Sequence, residues 1–328
     1  MKLQLDFPVI SYKNKIDYDS KILLIGSCFT EHIFGFLNKA KFDVAQNSHG
    51  NLFNPISIKN AFEELVLNKK YSEADIFQEN DIWHSWMHHS QFSNTDKNNM
   101  LENINSTNDY FHHFLKKTTK VIITLGSAFA YWHIEKRFFV SNNHRLNAKL
   151  FEKKLLPIEE IFSALEEIKL LLKKINPAIE IIFTISPVRH IKDGIVENNR
   201  SKARLLEAVH DFCDKNEDAF YFPAYEIVID VLRDYRFYDV DMVHPNFLAT
   251  HLVWKSFLDN CIDENCVPLI EKLQQLSNAL AHKPQHQDSD AHQKFLNEQL
   301  LLCNNLMEQY PFLNLENEIQ TFKTKLNP

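Results

Sequence analysis

In the stretch KILLIGSCFTE, residues 21–31, an apolar run ends in a glycine and is followed by the start of a helix-forming segment. KILLIG has the continuous apolar character of a strand that is buried on both faces. Gly26 ends this strand, and TEHIFGFLNKA (residues 30–40) has the apolar spacing of a helix. A strand followed at once by a helix predicts a parallel sheet, in which reactive side chains collect where strands end. Ser27 and Cys28 lie at that point.

The alternation of strands and helices continues along the chain. Further apolar runs predict strands at residues 119–126, 178–186 and 218–228. Residues 150–175 and 198–215, which lie between these runs, carry apolar residues at helical spacing. Near-continuous apolar strands that alternate with amphipathic helices indicate an α/β protein, in which helices cover both faces of a parallel sheet.

Two segments stand apart from this alternation. Residues 57–118 contain two helical stretches around a segment rich in histidine and tryptophan, and we interpret them as an insertion. After about residue 270 the sequence becomes polar and turn-rich, and it ends in helical pieces. We therefore divide the chain into a main domain of residues 1–260 and a helical C-terminal appendage of residues 261–328.

Composition and charge argue against several classes of protein. The 328 residues are 45% hydrophobic with a net charge of −7, and no basic run is interleaved with aromatics, so nucleic acid is not an expected partner. No N-terminal signal segment is recognised, and no apolar stretch is long enough to span a bilayer. The five cysteines are scattered without CxxC pairs, which fits neither a disulfide framework nor a zinc knuckle. These features predict a cytoplasmic protein.

Glycine is scarce, with five residues in the whole chain, so its positions are informative. Gly26 and Gly126 follow predicted strands, and Gly50 lies in a turn-rich loop. At such places backbone turns tightly or approaches a ligand, although ordinary loop glycines fit them equally well. Late in the main domain, Asp241 and His244 have a spacing of three, which lets a carboxylate orient an imidazole as a general base. A chance surface pair has the same spacing.

These features form an ordered set that resembles the SGNH, or GDSL-like, hydrolase superfamily. The chain resembles most closely the GSCFA family, whose first block is written GSCFT here. Similar blocks cover roughly residues 20–255, namely NLFNP (51–55), TLGSAFAYW (124–132), SPVRHIKDGIVENNRSKARLL (186–206) and YFPAYEIVIDVLRDYRFYDVDMVHPN (221–246). The resemblance implies a three-layer α/β/α flavodoxin-like fold of the SGNH hydrolase type, with a parallel sheet, a helical insertion and a helical C-terminal appendage.

The resemblance also implies acyl-ester chemistry. The protein would be an esterase or acyltransferase that acts on a small-molecule or carbohydrate ester, such as an O-acetylated sugar. The superfamily's serine stands two residues after its glycine, a position that Cys28 holds here. Cys28 would attack the carbonyl, His244 would act as base and then acid, and Asp241 would orient His244. The amides that start the next helix would favour a thiolate. Ser27 is the alternative nucleophile, and a packed, unreactive Cys28 is the third possibility. No metal or organic cofactor is needed.

The oxyanion-binding block departs from the superfamily pattern. Where the superfamily has Gly-x-Asn-Asp, this chain has GSAF at residues 126–129, so the asparagine donor is missing. Loss of one such donor typically costs about 10²–10³ in rate. The amides of Cys28 and Gly50 would remain, with the Ser127 hydroxyl or the Asn51 amide as replacements. The alternative function is therefore a non-catalytic protein that binds a ligand or glycan on a degenerate SGNH fold.

Two further residues, Arg189 and His190, follow the third strong strand. We expect them at the same sheet edge as Gly26 and Gly126, and we count all four as candidates for substrate binding. An arginine at this edge could bind a carboxylate or phosphate through two parallel hydrogen bonds. It could equally pair with a carboxylate of the segment that follows it.

The segment WHSWMHHS, residues 83–90, raises the question of a metal. His84 and His88 have the i, i+4 spacing that suits zinc on a helix. The segment lacks the glutamate and the downstream ligand of a metalloprotease motif. Pocket lining and ordinary packing are the other interpretations, and no metal site is predicted.

Overall fold

The computed structural model describes residues 5–287 and 289–326, in which strands and helices alternate. The strands are β1 (Lys21–Gly26), β2 (Asp43–Gln46), β3 (Ile76–Glu79), β4 (Ile82–Ser85), β5 (Lys120–Leu125), β6 (Phe129–His133), β7 (Phe138–Val140), β8 (Phe151–Leu155), β9 (Glu180–Ile185) and β10 (Ala219–Tyr221). The helices are α1 (Phe29–Lys39), α2 (Pro55–Leu67), α3 (Lys97–Leu115), α4 (Ile158–Ile175), α5 (Ile195–Lys215), α6 (Ala224–Glu226), α7 (Phe247–Cys261), α8 (Val267–Ala281), α9 (Asp290–Gln309) and α10 (Glu316–Leu326). A π-helical segment, Ile227–Val231, continues α6.

Five strands form one parallel sheet in the order β10-β9-β5-β1-β2. Read from the β2 edge and numbered along the chain, the five strands have the order 2-1-3-4-5, which is the flavodoxin-like arrangement. The register of β1 with β5 pairs Leu23 with Val121 and Leu24 with Ile122. Because the strands are parallel, their carboxyl ends lie along one edge of the sheet.

Alternate side chains of the sheet enter two separate cores. One face carries Leu23 and Val121 and packs against α2, α4 and α5. The other face carries Ile22 and Ile122 and packs against α1 and α7. All four side chains are at most 2% exposed, and complete burial of one such side chain contributes about 1.5–3 kcal/mol. The predicted three-layer α/β/α fold is confirmed.

Two stretches differ from the elements that the sequence predicts. Residues 150–175 are predicted as one helix, but their first part forms β8, which pairs with β6 in an antiparallel sheet. Pro157 holds an extended backbone between β8 and α4, so the helix begins only after it. Residues 218–228 are predicted as a strand, but only β10 pairs with β9. Pro223 ends this strand because proline has no backbone N–H to donate to the sheet.

The segment of residues 57–118 contributes to the main body as well as projecting from it. Phe62 of α2 and Phe111 of α3 belong to the core of the main sheet. The hairpin of β3 and β4 instead packs in a smaller cluster with Tyr71 and Met100. The interpretation of this segment as an insertion remains a prediction.

The three last helices, α8, α9 and α10, share a core of their own. Tyr18 stacks on Phe42 and also contacts Phe312, and Lys41 lies 2.6 Å from Glu318, so this bundle is attached to the main body. The division of the chain at residue 260 remains a prediction. Among the helices of the described residues, none has the length and apolar character that crossing a bilayer requires.

Candidate functional site

Backbone at the end of β1 makes a sharp turn that places the candidate nucleophiles. Gly26 has a φ of 148°, and a Cβ added to it would lie 2.2 Å from the carbonyl oxygen of Thr124 on β5. A side chain is therefore excluded at this position. The same carbonyl accepts a hydrogen bond of 3.0 Å from the amide of Ser27. These contacts start α1 at the carboxyl edge of the sheet.

Ser27 and Cys28 lie in different environments after this turn. Ser27 is 1% exposed, and among the described residues its Oγ has no hydrogen-bond partner. Cys28 is partly exposed and stands at the N-terminus of α1. Cys28 is therefore the more accessible of the two.

Charge and burial oppose each other at the Cys28 thiol. Burial raises the pKa of Cys28 above its usual value, and the Glu31 carboxylate raises it further. The Lys202 ammonium and the amides of Cys28 and Phe29 lower this pKa, but by less. The expected influence of the helix amides is thus present. Desolvation outweighs this influence, so the net effect on the pKa of Cys28 opposes the thiolate.

A buried ammonium lies beside the ends of the two strands next to this turn. Lys202 of α5 is 1% exposed. Its Nζ donates to the carbonyl oxygens of Gly126 and Ser186, both at 2.6 Å. Burial lowers the pKa of Lys202 to about 7, and Cys28 acts in the opposite direction. Lys202 and Cys28 are therefore electrostatic partners.

Asp241 and His244 form the predicted carboxylate–imidazole pair, although their segment is a loop and not a helical turn. Oδ2 of Asp241 lies 2.5 Å from Nδ1 of His244, and Oδ1 accepts from the amides of Val243 and His244 at 3.0 Å. Hydrogen bonds from the amides of His244 and Val243, and from the His244 imidazole, lower the pKa of Asp241 to about 2. The two side chains are 45% and 46% exposed. Met242 between them has a φ of 60°, a strained conformation for a non-glycine residue.

The His244 loop lies beside the edge that carries Cys28 but does not close on it. Within the described residues no hydrogen bond joins His244 to the Cys28 thiol. Burial lowers the pKa of His32 on α1, and His244 lowers it further. The amide of Arg189 donates to the carbonyl of Val243 at 3.3 Å, which attaches the loop to the end of β9. The structure therefore brings the predicted residues to one edge but leaves the sulfur and the imidazole unbonded.

Two unpartnered polar atoms flank Gly126. A Cβ added to Gly126 would lie 3.1 Å from the Cβ of Ser27 and 3.5 Å from Nε2 of His190. Neither Ser27 Oγ nor His190 Nε2 has a hydrogen-bond partner among the described residues. Phe53 packs edge-on against His190, with ring centroids 5.6 Å apart. Burial lowers the pKa of His190 to about 4, so its imidazole is neutral near pH 7.

The loop after β2 uses its polar groups to hold itself together. The amide of Gly50 donates to the carbonyl of Asn47 at 2.8 Å, and Nδ2 of Asn51 donates to Glu31 at 2.8 Å. Gly50 has a φ of 75°, and a Cβ added to it would lie 2.4 Å from Cβ of His89. The expected oxyanion donors Gly50 and Asn51 are thus in place but already engaged.

In the GSAF block, residues 126–129, the Ser127 hydroxyl is engaged with α5 and with the following backbone. Oγ of Ser127 lies 3.3 Å from Oγ of Ser201 and accepts from the amide of Phe129 at 3.0 Å. Ala128, which replaces the superfamily's asparagine, is 0% exposed. The proposal of Ser127 as a replacement donor is not supported, because its hydroxyl closes a turn against α5.

A cleft of ≈ 330 Å³ lies beside the His244 loop. Its wall includes Arg189, Arg233, Tyr235, Tyr238, Met242 and Val243. The acidic residues that follow Arg189 pair elsewhere, Asp193 with Lys153 and Glu197 with Arg200. Among the described residues no ion pair joins Arg189 to either carboxylate. The cleft presents two arginines together with Asp234, which pairs with Arg236.

A second cleft, of ≈ 560 Å³, lies on the side of Asn51. Its wall includes Asn51, His84, His89, Ser90, Asn142 and His144. His84 lies on β4, so it does not share a helix face with His88, and its Nδ1 bonds to Ser93 at 2.8 Å. Trp86 stacks on Phe77, with centroids 3.8 Å apart. His84 and His89 line the cleft, whereas His88 is buried and neither tryptophan of the segment belongs to the wall.

Lys202 is not predicted from any motif, although the pattern of apolar residues in α5 indicates that it is buried. The buried residues of this helix follow a helical period and form one face: Asn198, Ser201, Lys202, Leu205, Ala208, Val209 and Phe212. Lysine is almost never fully buried without a partner. A lysine on the apolar face of an amphipathic helix therefore marks a buried charge that the fold uses.

The five-stranded parallel sheet defines an α/β protein of flavodoxin-like fold, with Ser27 and Cys28 in the turn after β1 and the Asp241–His244 pair in a late loop. The sequence pattern of the GSCFA family matches residues 21–257, and that of the GSCFA domain protein, C-terminal domain, matches residues 273–328. The chain therefore belongs to the GSCFA family, and the family predicted from its motifs is confirmed.

Two solved structures are similar to this chain at low identity. One, a carbohydrate esterase family 3 from Talaromyces cellulolyticus, has a TM-score of 0.34 and 9% identity, with 77% of this chain and 98% of that chain covered. The other, an acetyl xylan esterase (Est2A) from the rumen bacterium Butyrivibrio proteoclasticus, has a TM-score of 0.38 and 12% identity, with 75% of this chain and 64% of that chain covered. No protein with a curated description matches the sequence.

Proposed function

We propose that this protein is an esterase-type enzyme that hydrolyses an acyl ester or transfers its acyl group, with Cys28 as the nucleophile. The observation that carries the proposal is the position of Cys28. It is partly exposed at the N-terminus of α1, where the Lys202 ammonium and the first helix amides act on its sulfur. A cation and helix amides are the influences that activate nucleophilic cysteines.

His244 serves as the general base in this proposal, and Asp241 orients it. The carboxylate at 2.5 Å from Nδ1 selects the tautomer whose Nε2 is free to accept a proton. Hydrogen bonds between catalytic groups are commonly long before substrate binds. The proposal therefore requires the loop of residues 239–244 to bring Nε2 to the Cys28 sulfur when substrate occupies the site.

The reaction proceeds in two steps. His244 takes the thiol proton as the Cys28 sulfur attacks the ester carbonyl, and it then gives this proton to the departing alkoxide, which leaves as an alcohol. The acyl group is now a thioester on Cys28. In the second step His244 removes a proton from water or from an acceptor hydroxyl or amine, which attacks the thioester. The thiol regains its proton, and the products are a carboxylic acid or a new ester or amide.

The oxyanion donors are the Cys28 amide and the neutral His190 imidazole. His190 supports this role because its Nε2 is unpartnered and lies beside Gly126 and Ser27. His190 would take the place of the asparagine that the GSAF block, residues 126–129, lacks. The amide of Gly50 would join only after it releases the carbonyl of Asn47.

The substrate is a small-molecule ester, with an acetylated carbohydrate as the first class to test. The cleft beside Asn51 offers amide, hydroxyl and imidazole groups that suit a polyhydroxylated leaving group. The two similar structures are described as carbohydrate and acetyl xylan esterases. The arginine-lined cleft suits an anionic group on the substrate.

The test is acylation by an activated aryl acetate, followed by intact mass. Wild type is expected to gain one acetyl group and to release the phenol. Cys28→Ala is expected to lose the adduct, whereas Cys213→Ala, which removes another partly exposed cysteine, is expected to keep it. His244→Ala is expected to acylate more slowly. An adduct that survives Cys28→Ala but is lost in Ser27→Ala would transfer the role to Ser27.

The second candidate is a non-catalytic protein that binds a ligand or glycan. The engaged donors at Gly50 and Asn51 and the unbonded Cys28 thiol favour it. It predicts neither adduct nor turnover in wild type, together with binding of an acetylated saccharide by calorimetry. Acylation of Cys28 would reject it.

A further inference from the structure

A second cluster of reactive side chains lies behind the Gly50 loop, outside the candidate catalytic site. It consists of His49 after β2, Glu64 on α2 and His88 after β4. One ligand atom of each residue lies within 4.8 Å of the other two. The three residues are 0%, 8% and 1% exposed, respectively. Three separate parts of the chain thus place two imidazoles and a carboxylate together in the interior.

Serine hydroxyls orient both imidazoles. Oγ of Ser48 lies 2.9 Å from Nδ1 of His49, and Oγ of Ser85 lies 2.9 Å from Nδ1 of His88. The two rings are stacked, with centroids 4.4 Å apart and planes 13° apart. When such a hydroxyl accepts from Nδ1–H, the Nε2 lone pair is left for a ligand. Such a hydrogen bond behind the ring is the usual support of a metal-bound histidine.

Only one of the two Nε2 atoms has a hydrogen-bond partner among the described residues. Nε2 of His49 lies 2.9 Å from the Glu64 carboxylate. Nε2 of His88 has no hydrogen-bond partner among the described residues, although the residue is 1% exposed. A buried imidazole nitrogen without a partner is costly, so it indicates a group that the site is built to receive.

The charge around the cluster suits a cation. Glu64 accepts from Lys69 at 3.1 Å and from the Tyr71 hydroxyl at 2.8 Å. The same Lys69 ammonium also lies 3.4 Å from Asp75. Two carboxylates therefore share one ammonium, which leaves an excess of negative charge beside the imidazoles.

We propose that His49, Glu64 and His88 bind a divalent transition-metal ion, with Zn²⁺ as the ion that suits two imidazoles and a carboxylate. The metal takes the Nε2 lone pairs and a Glu64 oxygen. The metal displaces the proton that Nε2 of His49 shares with Glu64, and this proton is released to solvent or taken up by Nδ1, which faces Ser48; no redox partner is needed. This set shares only His88 with the helical His84–His88 pair considered from the sequence.

The position of the cluster assigns the metal a structural role. The carbonyl of His49 accepts from the amide of His89 at 2.8 Å, and Gly50 packs against the same residue. A metal at His49 would fix the loop that carries Gly50 and Asn51 to α2 and to the segment after β4. The inference does not depend on the esterase proposal, since a binding protein would use the same support.

The test measures metal content and metal-dependent stability of the full chain after its affinity tag is removed. Wild type is expected to retain one zinc per chain by elemental mass spectrometry after dialysis. Replacement with Co²⁺ is expected to give the visible absorption of a low-symmetry nitrogen–oxygen site. Prolonged chelation is expected to lower Tm, and added Zn²⁺ to restore it.

His88→Gln and His84→Gln form a matched pair. Only His88→Gln is expected to lose zinc and the chelator-dependent change in Tm. Should it fail to fold, Ser85→Ala keeps all three ligands and is expected to weaken affinity by about 10- to 100-fold. Wild type that binds neither Zn²⁺ nor Co²⁺ would overturn the proposal, as would metal binding that is unaffected in His88→Gln.

Discussion

Lys202 reaches from α5 to the carbonyl oxygen of Gly126 and donates to it at 2.6 Å. The same ammonium donates to Ser186, so it bridges the ends of β5 and β9. A buried ammonium without a carboxylate is costly, and its retention indicates a role. The role that the structure offers is electrostatic, since Lys202 opposes the rise that burial causes in the pKa of Cys28.

Replacement of Lys202 by methionine should make Cys28 less reactive. Methionine is unbranched and only one atom shorter than lysine, but it lacks the charge that favours the thiolate. The expected result is a fall of about tenfold or more in the rate of alkylation by iodoacetamide at neutral pH, since one pKa unit changes the thiolate fraction tenfold. Peptide mass spectrometry reports Cys28 and Cys213 separately. Lys255→Met, which removes a surface lysine paired with Asp259, is the control. An unchanged Cys28 rate in folded Lys202→Met would contradict the electrostatic role.

The same residue should produce a pH-dependent stability. Its pKa is lowered from 10.5 to about 7 in the folded protein. Between these values the unfolded chain binds a proton that the folded chain does not, so wild type should gain stability as pH rises through this window. Below pH 7 both states are protonated, and the full cost of burial is present. The difference between wild type and Lys202→Met, measured by urea unfolding at several pH values, isolates this effect from other groups. A difference that does not change with pH would argue against a titrating Lys202.

The success of the sequence in predicting the fold reflects local signals. The apolar runs of β1, β5 and β9 are continuous because both faces of the sheet are covered, and such runs are legible without tertiary information. The stretch containing β8 is misassigned because FEKKL has helical propensity and its pairing with β6 is decided by tertiary contacts. Likewise, one proline shortens β10, and the pattern of apolar residues alone does not reveal it.

In the candidate site too, the residues with local partners are predicted and those with distant partners are missed. Asp241 and His244 are predicted because their bond is local, three residues apart. Lys202 and the cluster of His49, Glu64 and His88 are missed because their partners come from distant segments. His84 and His88 show the converse error, since a helical spacing has no meaning when one of the residues lies on a strand. Contacts between residues close in sequence can therefore be predicted from the sequence, whereas buried charged groups with distant partners are found only in the folded structure.

Replacement of Asp241 by asparagine tests the orientation of His244. The amide cannot hold the Nδ1 proton as the carboxylate does, and the expected loss in acyl-transfer rate is about 10²–10⁴. Because the pKa of Asp241 is about 2, the carboxylate is ionised throughout the neutral range, and the loss should be independent of pH there. Rates with an activated acetate across that range check this, and Asp259→Asn is the surface control. A loss that disappears at high pH would point to a group other than Asp241.

Arg189 should select substrates that carry an anionic group. Its neighbouring carboxylates are paired with Lys153 and Arg200, so its guanidinium is available to the cleft. Arg189→Ala is expected to raise KM for a carboxylate-bearing aryl ester by about tenfold or more, and to leave KM for the neutral ester nearly unchanged. Arg200→Ala removes a surface arginine and serves as the control. An equal effect on both esters would indicate a structural role for Arg189.

Gly26, which begins the GSCFT segment, and Gly35, which lies within α1, should respond in opposite ways to alanine. Gly26→Ala places a methyl group 2.2 Å from the carbonyl oxygen of Thr124 at a φ of 148°. Neither β1 nor β5 can shift without breaking the central sheet, so the free energy of unfolding should fall by about 3 kcal/mol or more. Gly35 lies within α1, and a Cβ there meets nothing within 4 Å. Gly35→Ala should therefore raise the free energy of unfolding by about 0.5–1 kcal/mol, because alanine loses less entropy in a helix. Urea unfolding followed by tryptophan fluorescence measures both variants against wild type. If Gly26→Ala were as stable as wild type, the close approach of β1 to β5 at this turn, and with it the placement of Cys28, would have to be abandoned.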